Sequence, residues 1–480
     1  MPKDPAELSV VRGAIADVDT GPADVALGTL VVRPAVFVPP DATVGEVARA
    51  MRERDASSAL VETEPVGIVT DSDLRRVVAE ELPPDTPVMT VMTAPVATLP
   101  GEAPVYSALL LMVERRFKHI AVTGDGAICG VLADDDLLRQ QASSPLLLLG
   151  KIRRLTSLRA GDVLADYPRD IASAAQALHD DGIGDVRATR VLTSLNDALT
   201  GKLIRLAEAE LGPPPCAYAW LELGSAGRSE QTLFGDQDSA IAYATEVPGA
   251  RDYFLALAEW VVSALRTAGF PECPGGHMAT RLCRSVAEWE DVLRAWGENP
   301  SPDAMVEAEV FLDLRAVHGE LSVRRLEALL LAVAGRRPFL AQLARAATTF
   351  EPPLRRFGRI VAPEGSVDVK AHGTAPIVLL ARLYAVAAGS GARTTPDRLA
   401  AAASAGTLSA DSAAVLTDAY RLLTRLRLRS QLTDLAAGRA PGNLVVLADL
   451  SSSERRRLRD NFRAVADIQA HVRMTYGIRD

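Results

Sequence analysis

A chain of 480 residues is too long for one ordinary domain, and at ~150 residues per domain it divides into about three. Hydrophobic residues at 48% and charged residues at 24% allow large packed cores and exclude a disordered chain. The net charge of -9 excludes bulk attraction to nucleic acid, which needs a basic face.

The opening residues, MPKDPAELSV, lack the cationic start and apolar core of a secretory signal. Apolar runs at 145–149 and 329–334 fall far short of the ~20 residues that span a bilayer. A cytoplasmic protein without membrane contact is the expectation. Cys129, Cys216, Cys273 and Cys283 form no C-x-x-C pair and read as reduced, structural thiols. Cys273, His277 and Cys283 could be grouped as zinc ligands, but no fourth ligand has suitable spacing, so packing is the simpler expectation.

Residues 1–28 are acidic and weakly patterned, a tail or a short leading helix. Over 29–142 two similar units follow. VFVPPDATVGEVARAMRERDASSALV leads into VGIVTDSDLRRVV, and VATLPGEAPVYSALLLMVERRFKHIAV leads into ICGVLADDDLLRQ. Each predicts an extended segment, an amphipathic helix, a buried strand, a glycine turn, a second strand and a closing helix. Met51 matches Met112, Gly67 matches Gly130, and Asp73 matches Asp136. Thr43 and Glu46 predict a capping box.

These units resemble a tandem pair of CBS domains, regulatory modules that commonly bind adenine nucleotides. The resemblance implies ribose contacts from Thr70 and Asp73 of GIVTDSD, with Asp136 the counterpart in the second unit. Ala133 stands where that unit would need its hydroxyl, so one AMP or ATP site is expected rather than two. A CBS pair serving only as a dimerisation platform is the other reading.

Residues 143–212 predict a helical connector of two amphipathic helices broken at Asp180-Asp181-Gly182, stopped by Gly212-Pro213-Pro214-Pro215. Residues 213–320 hold the densest pattern, YAWLELGSAGRSEQTLFGDQDSAIAY. It predicts an apolar strand ending at Leu223, a Gly-Ser-Ala-Gly turn, a helical segment over 228–234, and a strand carrying Asp236 and Asp238. Period-two alternation puts those two carboxylates on one face with Gln237 on the other. Gly224 and Gly227 permit close backbone approach to a phosphate. Residues 250–270 predict a helix on the sheet, and Ser285 and Glu288 a capping box. The stretch AEVFLDLRAV predicts a strand bearing Asp313, where Asp313 and Arg315 could also form a structural pair. Trp289 and Trp296 read as core.

Residues 321–480 predict an almost wholly helical domain. Ser451 and Glu454 predict another capping box, and the following arginine runs read as a solvated helix face. One loop brings Asp368, Lys370 and His372 ahead of a buried helix with Arg382.

A Gly-Ser turn followed by Asp-x-Asp and a later Asp resembles the nucleotidyltransferase superfamily built on the DNA polymerase β palm. GSAGRSEQTLFGDQD, CPGGHMA, VFLDLRAVHG, DVKAHGTAPIVLLAR and LRLRSQL are together similar to bacterial CBS-domain proteins with a nucleotidyltransferase domain, related to the PII-protein uridylyltransferase. The fold implied is a multidomain α/β chain: a CBS pair, a palm with a mixed sheet and an all-α C-terminal domain.

The resemblance implies Asp236, Asp238 and Asp313 as catalytic ligands of Mg2+ or Mn2+, and Gly224, Ser225 and Gly227 as the cradle for a nucleoside triphosphate. Arg228 would neutralise phosphate, Glu230 would orient it or hold the loop, and Lys370, His372 and Arg382 would reach the nucleotide or acceptor. The implied activity moves a nucleoside monophosphate to a hydroxyl on a protein, under adenine-nucleotide control, in a homodimer joined through the CBS pair and with no nucleic-acid partner. A non-catalytic adenine-nucleotide sensor and interaction module is the rival expectation.

Overall fold

The structure is a computed structural model that describes residues 26–29, 34–138, 143–155, 161–183, 185–233, 235–245, 247–355 and 359–478. Of the N-terminal tail expected over 1–28, residues 1–25 lie outside the described residues, whereas Leu27 is buried and its amide donates to the Ala103 carbonyl at 2.8 Å, so the first unit begins before Thr29. The chain separates into two compact units, 1–147 and 148–480.

The first unit contains the predicted repeat. β1 (Phe37–Val38), α1 (Val44–Glu53), β2 (Ser58–Val61), β3 (Gly67–Thr70) and α2 (Asp71–Ala79) form one half. β4 (Thr98–Pro100), α3 (Val105–Arg115), β5 (His119–Gly124), β6 (Ala127–Ala133) and α4 (Asp134–Leu138) form the other. Each half holds a three-stranded sheet, ordered β1-β2-β3 and β4-β5-β6, with one parallel and one antiparallel pairing. Thr43 and Glu46 close the expected capping box on α1. The halves share an apolar cluster of Leu60, Ile68, Val96, Ala121 and Val131, and Ser57 Oγ meets His119 Nε2 at 2.8 Å.

Beyond α5 (Ser143–Arg154), the second unit opens with α6 (Gly161–Asp180) and α7 (Val186–Leu211), interrupted where the Asp-Asp-Gly break was expected. Gly182 turns there with φ of 78°. β7 (Tyr218–Glu222), α8 (Gly224–Gly227) and β8 (Ser239–Tyr243) follow, then α9 (Ala250–Thr267), β9 (Cys283–Ser285) and α10 (Val286–Glu298). α11 (Pro302–Phe311) and β10 (Arg315–Gly319) complete the mixed sheet, whose order is β10-β7-β8-β9. Trp289 and Trp296 are buried as expected, Trp289 stacked on Phe311.

Three local expectations need correction. The helix expected over 228–234 is absent among its described residues; only Gly224–Gly227 is helical, and the following backbone is irregular. Asp236 and Asp238 precede β8 rather than lying in it. AEVF is the end of α11, not a strand: Ser301 caps the helix and Pro302 occupies its first turn, start signals that outweigh a short apolar run.

The remaining chain is helical, as expected, with α12 (Arg324–Ala334), α13 (Arg337–Ala347), α14 (Ala375–Ala387), α15 (Thr395–Ser404), α16 (Ala410–Ala436) and α17 (Ser452–Tyr476). A two-stranded ribbon interrupts it: β11 (Ser366–Asp368) pairs antiparallel with β12 (Leu444–Val446). One apolar core joins one face of the mixed sheet (Ala219, Leu221, Ala240, Ala242) to the helices (Ile377, Leu380, Leu423, Phe462). Palm and helical region are therefore packed as one body. Among the described residues no helix is long and apolar enough to cross a membrane.

Candidate active site

The chain crosses from β7 into α8 through Gly224, whose φ of 52° is costly for a residue with a side chain. A Cβ there would also lie 2.5 Å from Asp238 Oδ2. The second carboxylate of the DxD therefore rests on the bare face of the turn. Gly227 is under a different constraint, because a Cβ would come 2.0 Å from the carbonyl oxygen of Asp313 and 2.8 Å from that of Glu222. Ser225 between them is half-buried.

Arg315 braces the turn. Its guanidinium donates to the carbonyls of Ala226 (2.7 Å) and Gly227 (3.2 Å) and forms a two-pronged pair with Asp197 of α7 at 2.7 and 3.0 Å. The carboxylate that Arg315 holds in this two-pronged pair is that of Asp197. Glu222, at the end of β7, is buried and accepts from Trp220 Nε1 at 3.2 Å. Burial, reinforced by the charge of Asp197, pushes its carboxyl up to about 8.

After the turn, Gln237 is buried and donates to the Phe270 carbonyl at 3.0 Å, whereas Asp236 and Asp238 remain half-exposed. The alternation expected from the sequence therefore holds, although the segment is not a regular strand. Burial raises the Asp238 carboxyl above its ordinary range, and the neighbouring charge of Asp236 adds to this. The Cys273 thiol lies beside Asp238, and its own titration is pushed up by burial and by that carboxylate.

Cys273 Sγ lies 3.7 Å from His277 Nδ1, and donor atoms of Asp238, Cys273 and His277 all fall within 4.8 Å of one another. Cys283, on β9, is not in this group; the third donor is Asp238, which sequence spacing could not supply.

The helical region closes on the same carboxylates. Lys370 is exposed and acts electrostatically on Asp238. Asp368 Oδ1 accepts from the amides of Lys370 (2.9 Å) and Ala371 (2.8 Å), fixing the π-helical turn Lys370–Thr374. Arg427, half-buried on α16 and donating to Asn443 Oδ1 at 2.7 Å, feels the charges of Asp368 and Asp236. It lies in LRLRSQL, yet no residue of that motif stood out by spacing. His372 meets the Glu351 carbonyl through Nδ1 at 3.0 Å.

Asp313 departs from its expected role as a third metal ligand. Its side chain is wholly inaccessible; Oδ2 accepts from Arg228 and, at 2.7 Å, from Arg382 Nη2, while Oδ1 accepts from Arg398 Nη1 at 2.6 Å. Burial disfavours its charge, but Arg382, Arg228 and Arg398 together hold the carboxylate well below its usual range. With its oxygens engaged by guanidinium groups, it has no free face for a cation beside Asp236 and Asp238.

Arg228, Glu230 and Arg382, expected at the nucleotide, belong to the same buried cluster. Glu230 accepts from Arg228 Nε (2.7 Å) and from Thr395, whose hydroxyl lies 2.9 Å away. These residues lock the palm to α14 and α15. Buried charges are tolerated only when paired in this way.

The donors that do fit a divalent cation are Asp236 and Asp238, two carboxylates that feel one another's charge, the second seated against a glycine whose Cβ would fill the space. In the first unit, Asp73 Oδ2 accepts from both the amide (2.9 Å) and hydroxyl (2.8 Å) of Thr70 at the start of α2. Asp136 accepts from the Ala133 amide at 3.0 Å, the same cap without the hydroxyl.

Comparison with known proteins assigns the two units. The CBS domain family matches residues 27–80 and 88–143. The family described as "Putative nucleotidyltransferase DUF294" matches 169–303, and "Putative nucleotidyltransferase substrate binding domain" matches 337–476. The chain thus joins a CBS pair to a domain of the "Putative nucleotidyltransferase DUF294" family and one of the "Putative nucleotidyltransferase substrate binding domain" family. An uncharacterized protein of Methanocaldococcus jannaschii is 25% identical over 176 residues, which are 34% of this chain and 94% of that one. An uncharacterized protein of Methanopyrus kandleri is 30% identical over 121 residues, 24% of this chain and 62% of that one. Among solved structures, a CBS domain protein from Pyrobaculum aerophilum complexed with AMP is 29% identical, with a TM-score of 0.23, covering 26% of this chain and 96% of the other.

Proposed function

We propose that this chain transfers a nucleoside monophosphate from a nucleoside triphosphate to a hydroxyl group on a protein, in the manner of the PII uridylyltransferase that its motifs resemble. The observation that carries the reading is the seat of Asp238 on Gly224, with Asp236 beside it and Lys370 and Arg427 approaching from the helical region. Asp236 and Asp238 hold the cation, Mg2+ or Mn2+, which would supply charge neutralisation for the triphosphate and the departing pyrophosphate. Gly224 and Ser225 cradle phosphate oxygens, and Lys370 adds positive charge from the opposite wall. The acceptor oxygen bonds to the α-phosphorus as the bond to pyrophosphate breaks, and the hydroxyl proton leaves to water. Binding of AMP or ATP at Thr70 and Asp73 biases this cleft, and the CBS pair joins two copies of the chain.

Pyrophosphate release from UTP, ATP, CTP and GTP, with a cell lysate as the source of acceptor, tests the reading. Release with at least one triphosphate, abolished in the double variant Asp236→Ala/Asp238→Ala, is expected; equal release from the variant refutes it. Mass spectrometry of the labelled product identifies donor and acceptor together.

The burial of Asp313 among arginines favours a second reading, a non-catalytic adenine-nucleotide sensor, because it leaves two carboxylates where a two-cation site needs three. On that reading calorimetry with AMP and ATP gives binding that is lost in Asp73→Ala, and no triphosphate is consumed.

A further inference from the structure

The arginine run of α17 is not only a solvated helix face. Arg455, Arg456 and Arg459, from its first two turns, line a groove of about 930 Å³ together with Arg355 and Arg359 from the segment after α13. Five guanidinium groups from two distant stretches of sequence thus converge in a chain whose net charge is -9.

Among the described residues no carboxylate lines the groove. The acidic side chains nearby on α16 and α17 are engaged elsewhere: Glu454 by Arg429 at 2.7 Å, and Asp418 by Arg457 at 3.0 Å. Of the five, Arg459 pairs with an acidic neighbour, Asp460, at 3.3 Å from the next position of the helix. Arg455 and Arg459 also stand at i and i+4, a spacing at which like charges oppose helix formation. Such crowding lowers stability, so it points to an anion that relieves it.

Arginine's planar fork of donors matches phosphate oxygens in pairs, and several forks converging on one space match several phosphates. The volume lies within the usual range of small-molecule sites. Ile360 and Leu447 supply apolar wall for a moiety attached to the phosphates.

The groove is separate from the carboxylate cleft. Pro363 and Leu447, at its edge, flank the Ser366–Val446 end of the β11–β12 ribbon, while Asp368 and Lys370 belong to the other end. We propose that this arginine groove binds a ligand carrying a run of linked phosphates, at a site distinct from the Asp236–Asp238 cleft and within the substrate-binding domain. The inference does not depend on the transfer chemistry.

Calorimetric titration of the full chain with sodium tripolyphosphate in EDTA tests it; without a divalent cation, Asp236 and Asp238 repel the probe and the cleft stays silent. Saturable binding is expected, weakened at least tenfold in Arg355→Glu/Arg456→Glu, weakened by added salt, and unchanged in Arg337→Glu, an exposed charge reversal outside the groove. Thermal melts of the variants verify that they fold; these exposed positions carry no core contact. A second titration with ATP in the Asp73→Ala background distinguishes the sources. Tighter binding of ATP than of tripolyphosphate assigns a nucleotide, and equal affinity assigns the phosphate chain itself, both supporting the site. Absence of tripolyphosphate binding, or equal affinity in the folded double variant and the wild type, overturns the proposal.

Discussion

Arg398 Nη1 lies 2.6 Å from Asp313 Oδ1, a bond between residues 85 positions apart. It joins the turn between α11 and β10 to α15 of the helical region, and with Arg228 and Arg382 it turns an expected metal ligand into the centre of a buried ionic joint. Several measurable consequences come from this relationship and its neighbours.

Asp313→Asn removes the charge that three buried arginines share. Loss of one member of a buried ionic cluster costs about 3–5 kcal/mol, to be measured by urea denaturation at neutral pH. A metal ligand replaced by Asn would instead leave stability nearly intact and abolish cation binding. The folded-state pKa of Asp313 is depressed, so its contribution is fully present above the unfolded value of ~3.9 and is lost only as pH falls through the lower folded value. The Asn variant therefore shows its deficit at pH 7 and loses part of the wild type's sensitivity to strong acid.

The two glycines of the Gly-Ser-Ala-Gly turn should fail differently. Gly227→Ala drives a methyl into two backbone carbonyls, which cannot swing aside, and soluble folded protein should be largely lost. Gly224→Ala meets the Asp238 side chain, which can rotate away. That variant, strained by its positive φ, melts a few degrees lower but folds, and its cation affinity falls at least tenfold. Melting curves and Mn2+ titrations separate the two outcomes.

Glu222 gives a pH signature of opposite sign. Its carboxyl titrates near 8 in the fold and near ~4.3 when unfolded, so the folded state binds the extra proton between those values. Stability contributed by this group is thus full below ~4.3 and declines by up to about 1.4 kcal/mol per pH unit until the folded value is passed. Glu222→Gln keeps an acceptor for Trp220 Nε1 and should flatten that decline. Denaturation midpoints from pH 5 to 9 should converge at the acid end and diverge in the variant's favour at the alkaline end.

Cys273 should alkylate slowly. Burial and Asp238 raise its titration, so less thiolate is present at pH 7 than on an ordinary thiol. In EDTA, iodoacetamide should modify Cys273 several-fold more slowly than a free peptide thiol, with a rate midpoint at higher pH than that of the free thiol. Asp238→Asn removes a charge that contributes to the shift and should move that midpoint down. Peptide mapping over a pH series reads both effects.

Some of the site was legible in the sequence because its cause is local. The capping boxes at Thr43, Ser285 and Ser451 are three-residue hydrogen-bond patterns, and they form as read. The CBS repeat is legible because each half writes out the same strand and helix periods twice. The DxD with Gln237 between obeys alternation even outside a regular strand, since extended backbone alone sets it. By contrast, AEVF misled: four apolar residues fit a strand or a helix, and the decisive Ser301-Pro302 start lies upstream.

The sequence by itself thus determined the modules, their order, the glycine turn and the paired carboxylates, all consequences of short-range geometry and repeated pattern. Only the tertiary structure decided which charges meet. Asp313 faces three arginines from distant parts of the chain, Asp238 meets Cys273 and His277 rather than a third carboxylate, and five arginines gather from positions up to 104 residues apart, Arg355 to Arg459. Electrostatic pairing depends on distance through space and on burial, and neither is carried by spacing along the chain.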